Sequence, residues 1–273
     1  MNAGAMMSAQ AAGPKGSPAA GSWLMPREHG AYALVLAPLL TAFCRGEGSL
    51  VGVGFAVAAV ALFLAHEPAL VLLAQRGGRA RRELGGRAWL ALLARGGLAL
   101  VAGGYALAHA DVVTRWSVLG PAALGLGLVA LSVRGLEKSG VGTLLLALSA
   151  AAAGVPVMLA NGWVVRDAVL TAAVFAAVGT ASMLTVRELI PKRQREAGLA
   201  AYVGWLAVLV ALVLVGAAAL RGDVPAYYAW AFAPTLGVAA VLLRVRPHPR
   251  HLRVVGWSLA AATVATFIVL AFA

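Results

Sequence analysis

Nine apolar runs, each long enough to cross a bilayer, follow one another with only short charged breaks between them. They fall at roughly 24–45, 50–75, 88–109, 116–133, 140–161, 168–190, 199–220, 227–245 and 254–273, and about 20 helical residues span a hydrocarbon core of about 30 Å. In lipid every backbone N–H and C=O needs an internal partner, so such runs fold as helices. With 62% apolar and 12% charged residues in 273, an ordinary soluble domain is excluded. The expected fold is an all-α, polytopic integral membrane bundle of nine transmembrane helices over residues 22–273. Residues 1–21 are small, polar and Gly/Pro-containing without an apolar stretch, which reads as a disordered N-terminal tail and not a signal peptide. The single cysteine, Cys44, excludes an internal disulfide and every multi-cysteine metal motif.

Charge sets the expected orientation. The even-numbered breaks carry Arg76, Arg79, Arg81, Arg82, Arg87, Arg134, Lys138, Lys192, Arg193, Arg195, Arg244, Arg246, Arg250 and Arg253, whereas the odd-numbered breaks carry only Arg45, Arg115, Arg166 and Arg221. The positive-inside rule then places the even breaks and the N-terminus in the cytoplasm and the C-terminus outside, in a cell inner (plasma) membrane. The net charge of +12 therefore points to anionic lipid headgroups at the basic loops, not to nucleic acid.

The first span is short. Gly30 to Cys44 is uncharged and covers about 22 Å, so roughly five more residues are needed. These include Arg27, Glu28 and His29, expected at the cytoplasmic interface with Trp23 as an anchor.

Three clusters carry the chemistry. His66-Glu67-Pro68 interrupts the second span, where an ionisable pair is costly unless it faces protein or water, and Pro68 frees the carbonyl of Leu64. The bland alternative is a hydrogen-bonded pair that sets helix packing. Arg27-Glu28-His29 is the second cluster, and Arg187-Glu188 at the end of the sixth span is the third. An arginine suits both the helix C-terminus and bidentate recognition of an anion. If the second and sixth helices are neighbours, Arg187 pairs with Glu67 until an anionic ligand draws it away. Glu28, His29, His66 and Glu67 together would offer donors for a divalent metal, but no spacing rule supports a metal site. His248 and His251 have no carboxylate or thiol nearby in the sequence.

An offset of four helices shows weakly: Pro38 and Pro156 occupy the first and fifth spans, and Glu67 and Glu188 the second and sixth. Two four-helix repeats plus a ninth helix would gather helices 1, 2, 5 and 6 around one polar cavity.

The segment Pro26-Arg-Glu-His-Gly-Ala-Tyr32, followed by Ala37-Pro38, resembles the opening signature of the YwiC-like family of bacterial membrane proteins. Glu67-Pro68 and Val186-Arg-Glu-Leu-Ile190 also resemble that family's pattern. More distantly, nine helices with polar motifs at the ends of helices 2 and 6 are similar to the UbiA superfamily of intramembrane prenyltransferases. That resemblance implies an isoprenyl diphosphate and Mg²⁺ held by Asp-rich motifs. Here Glu67 and Glu188 stand singly, beside arginines, where several hard oxygens would be wanted.

The expectation is a protein that binds an anionic lipid or isoprenoid in a cytoplasm-facing intramembrane cavity, as a binder or a UbiA-like transferase. Arg27, Arg76, Arg187 and Glu188 would contact the ligand, and Glu28, His29, His66 and Glu67 would orient it or move protons. A proton-coupled or small-solute transporter in which Glu67 titrates is the alternative from another class. A non-catalytic scaffold, whose polar residues only set packing, is the third.

Overall fold

A computed structural model describes residues 24–25, 29–190 and 199–273, and among these the chain is helical with no strand. The helices are α1 His29–Arg45, α2 Leu50–Leu72, α3 Gly78–His109, α4 Val112–Val133, α5 Gly140–Ala160, α6 Val165–Leu189, α7 Leu199–Leu220, α8 Tyr227–Val245 and α9 Leu252–Phe272. Short breaks in regularity fall at Val118 in α4, Ala153 in α5 and Ala231–Phe232 in α8. Eight of the nine are long and apolar enough to cross a membrane, and α1 is the shorter apolar one. The expected tail over residues 1–21, Trp23, Arg27, Glu28, Lys192, Arg193 and Arg195 all lie outside the described residues.

The nine spans correspond to the nine apolar runs, with shifted limits. α3 begins at Gly78, ten residues before its apolar run, because the basic stretch Arg79–Arg87 contains no proline and continues the helix with Arg79 paired to Glu83 one turn on. α2 ends three residues early, at Leu72, for a local reason. Ala74 takes a left-handed conformation (φ 60°), and the N–H groups of Ala74 and Gln75 return to the carbonyls of Val71 and Leu70, a Schellman end. α4 ends the same way at Gly135 (φ 72°), where the N–H groups of Gly135 and Leu136 reach Ser132 and Leu131. Glycine takes this conformation without cost and alanine does not. Ala74→Gly is accordingly expected to stabilise the protein by about 1 kcal/mol, read as a rise in its unfolding midpoint in detergent; a fall would contradict the assignment.

α6 is the hub. It packs against α1, α5, α7, α8 and α9, and buries Val174, Phe175, Val178, Ala181 and Leu184, with Tyr228 and Phe232 of α8 and Leu270 of α9 completing that core. α1 lies chiefly on α9 and α5, and Gly154 in α5 admits Pro38 so closely that a Cβ there would sit 2.9 Å from the proline Cβ. α2 pairs most extensively with α3. α3, α4 and α7 turn leucines and valines outward, among them Leu93, Leu100, Leu126, Leu206 and Leu214, the surface that lipid covers in a polytopic protein.

Loop contacts define the two ends. Arg76 of the α2–α3 loop meets Glu137 of the α4–α5 loop, and Arg187 at the end of α6 donates to the carbonyl of Lys138. At the opposite end Asn161, after α5, is held in the α1–α2 turn, and Arg166 of α6 donates to the Asp223 carbonyl of the α7–α8 loop. The even-numbered basic breaks described here therefore gather at one end of the bundle.

Candidate functional site

At the basic end four side chains form one network. Glu67, only 7% exposed, lies in the last two turns of α2. Arg76 holds it through both carboxylate oxygens, Nε to Oε1 at 2.7 Å and Nη2 to Oε2 at 2.8 Å, the side-on fork in which a guanidinium binds a carboxylate best. Arg76 Nη1 stands 3.6 Å from Glu137 Oε1, and His66 Nε2 stands 3.6 Å from Glu137 Oε2. A straight helix would carry Arg76 about 13 Å away from Glu67. The Schellman end at Leu72 reverses the chain instead and returns the guanidinium to the carboxylate.

The same motif delivers Glu137. Both Arg76 and Glu137 stand two residues beyond the left-handed residue of their turns, Ala74 and Gly135, so two alike helix ends present opposite charges to each other. Gly142, in the first turn of α5, lets the Leu136–Glu137 backbone settle against that helix, since a Cβ there would collide with the Glu137 carbonyl.

His66 first, and then the Arg76 charge, hold the Glu137 carboxyl below its ordinary value, against the opposing effect of burial. A depressed carboxyl contributes stability above its unfolded value of about 4.3, and that contribution is lost as pH falls through the folded value. Glu137→Gln is therefore expected to flatten the loss of stability below about pH 4.3. Unfolding midpoints of the two proteins across that range check it, and parallel curves below pH 4.3 would contradict it.

Arg95 of α3 lies one turn deeper. Pro68 denies the Leu64 carbonyl its helical partner, and Arg95 Nη1 donates to that oxygen at 2.6 Å and to the Leu24 carbonyl at 2.7 Å. Its Nη2 contacts Met25 Sδ at 3.5 Å. Among the described residues no carboxylate lies within ion-pair distance of it. Arg95 is also among the residues that line an apolar groove between α1, α2 and α3, with a volume of about 310 Å³, together with Leu36, Leu40, Phe43, Ala56, Val57, Val60 and Leu98.

The sequence-derived candidates divide accordingly. His66, Glu67 and Arg76 come together. Arg187 binds the neighbouring Lys138 carbonyl, while the bidentate partner of Glu67 is Arg76, because α2 and α6 are not among the closely packed helix pairs. Glu188 is half-buried at the end of α6. Arg27 and Glu28 lie outside the described residues, as does the side chain of His29, whose backbone opens α1. No three His, Cys, Asp or Glu side chains among the described residues are grouped to hold a metal ion. Reading by sequence missed Glu137, an acid in an otherwise basic break, and Arg95, a charge inside an apolar run of the kind that singled out Glu67.

A helical chain with eight spans of membrane-crossing length, outward apolar faces and its charges gathered at the ends is a multi-pass membrane protein. Residues 25–158 match the family model of YwiC-like protein. The match takes in α1 to α4 and most of α5, and with them the groove, Arg95 and the whole His66–Glu67–Arg76–Glu137 network. No curated protein and no solved structure matches the chain.

Proposed function

We propose that this protein binds an anionic lipid-like molecule that enters sideways from the bilayer, with its tail between α1, α2 and α3 and its head at the basic end. The observation that carries this reading is the apolar groove that Arg95 borders, a cation inside a span with no carboxylate among the described residues within ion-pair distance. Arg95, not Arg76, takes the acidic head, since the fork of Arg76 is engaged by Glu67. Glu67, Arg76, Glu137 and His66 act as positioning residues that fix the end of α2 over the groove. Arg27, Glu28 and His29, which precede or open α1 in the sequence, and Arg187 and Glu188, at the end of α6, belong to the same ligand-binding reading. The basic end faces the cytoplasm of an inner membrane, as the distribution of arginine and lysine favours. A UbiA-like transfer reaction would add Mg²⁺ and an isoprenyl diphosphate to this binding step.

The test is thermal unfolding of the purified wild type in detergent with phosphatidylglycerol, phosphatidylcholine, or geranylgeranyl diphosphate with and without Mg²⁺. A ligand that binds only the folded state raises the midpoint by mass action. Anionic amphiphiles are expected to raise it and phosphatidylcholine to leave it unchanged. No response to any anionic amphiphile, together with proton flux in liposomes that Glu67→Gln abolishes, would replace this reading by a transporter.

A further inference from the structure

Away from the groove, α6, α8 and α9 bury a column of hydroxyl groups between them, and we infer that this column holds internal water bound by Ser182 and Thr235. Hydroxyls inside the helices of this protein ordinarily turn back on the carbonyl four residues earlier, as those of Thr41, Ser149, Thr185, Ser258 and Thr263 do. Ser182, 6% exposed, and Thr235, 0% exposed, do not, and neither hydroxyl has a partner among the described residues. A buried hydroxyl without a hydrogen bond is costly, and ordered water is the usual partner where the protein supplies none.

The backbone accounts for Thr235. Pro234 opens the longer part of α8, which breaks at Ala231–Phe232. The carbonyl four residues before Thr235, that of Ala231, instead accepts from the Thr266 hydroxyl of α9 at 2.8 Å. Interrupted backbone within a span is tolerated where it is buried in protein or lines water.

Register brings the two hydroxyls to one level. Toward the end away from the basic loops, Thr171 of α6 meets the Tyr228 hydroxyl of α8 at 3.5 Å, and Ala231 of α8 meets Thr266 of α9. Toward the basic end, Leu189 of α6 shares a cluster with Val238 and Leu242 of α8 and with Val255 and Leu259 of α9. Counting along the helices between these two levels sets Ser182, Thr235 and Thr263 at about the same depth. The buried neighbours there are small, Ala181, Ala239 and Ala262, which leaves room between the helices. Thr263 gives its proton to the Leu259 carbonyl, so its oxygen still accepts.

Charge selects a neutral occupant. Among the described residues only Glu67 is both charged and buried, and it belongs to α2, which is not a close packing partner of α6, α8 or α9. A cation held by hydroxyls alone would bring its charge into the span without a counter-charge. Water gives two protons and accepts two, which suits hydroxyls that both donate and accept.

X-ray radiolysis of the purified wild type in detergent makes hydroxyl radicals from bound as well as bulk water, and mass spectrometry reads which side chains they oxidise. Phe232, 1% exposed and one turn before Thr235, is expected to be oxidised in wild type and spared in Thr235→Val, which keeps the shape of the side chain and removes the hydroxyl. Thr235→Ser, which keeps the hydroxyl, should restore the oxidation and so separates loss of water from loss of fold. Thr235→Val and Ser182→Ala should each lower the unfolding midpoint, since water loses a partner; deleting a hydroxyl that binds nothing would leave the midpoint unchanged or raise it. Phe232 spared in wild type, or midpoints that do not fall in either variant, would overturn the inference. A wild-type midpoint that rises in NaCl over choline chloride would overturn it too, by placing a cation at these hydroxyls.

Discussion

Arg76→Leu is expected to destabilise the protein by about 3–5 kcal/mol, the cost of leaving a buried charge without its partner. Glu67 is almost completely enclosed, and both of its oxygens are satisfied by Arg76. The converse change is milder. Glu67→Gln leaves Arg76 about a quarter exposed and still beside Glu137, so a loss of about 1 kcal/mol is expected, typical of a single hydrogen bond. Replacing both residues by glutamine removes the buried charge along with its partner, and should recover much of the stability lost in Arg76→Leu. Unfolding by SDS titration in mixed micelles measures all three. Equal losses for Arg76→Leu and Glu67→Gln would mean that Glu67 is hydrated and not buried.

The second large effect belongs to the other end of the bundle. Asn161, 2% exposed, accepts from the Ser49 N–H at 2.8 Å through Oδ1, while its backbone oxygen accepts from the Glu47 N–H at 3.1 Å. Ser49 in turn caps α2 through the Gly52 N–H and donates to the Ala160 carbonyl. One side chain thus joins the α1–α2 turn to the end of α5. Asn161→Ala removes the acceptor of the half-buried Ser49 N–H and empties a buried position, and a loss of about 3 kcal/mol is expected from unmet polar groups and lost packing. Gly52 lies so close to the Asn161 amide that a Cβ would collide with Oδ1. Gly52→Ala should therefore be destabilising in wild type and nearly neutral in Asn161→Ala. The same SDS titration reads this coupling, and additive losses would contradict the contact.

Much of the architecture was legible because membrane helices announce themselves by apolar length, and prolines such as Pro38 and Pro68 interrupt them without ending them. The gathering of the basic breaks at one end followed from their alternation along the chain. The weight on His66 and Glu67 was also sound in one respect, since both take part in a charged network at the end of α2.

What the sequence concealed depends on where the chain turns. The pairing of Glu67 with Arg76 instead of Arg187 follows from a helix end at Leu72 that an alanine in a left-handed conformation enforces, and alanine carries no turn signal. Glu137 enters because a second helix ends by the same motif, a matter of spatial registry that no local pattern encodes. Arg95 differs, because its charge within an apolar run was visible throughout, and only its partners, the carbonyls of Leu24 and Leu64, required the fold.

The most direct measurement is of the lipid that the protein carries out of its own membrane. Wild type and Ala56→Phe are purified in parallel in mild detergent, extracted with organic solvent, and the extracts compared by mass spectrometry. An anionic amphiphile retained at close to one per wild-type protein and missing from Ala56→Phe is the expected result. Identical extracts from two equally folded proteins would contradict a lipid site between α1, α2 and α3.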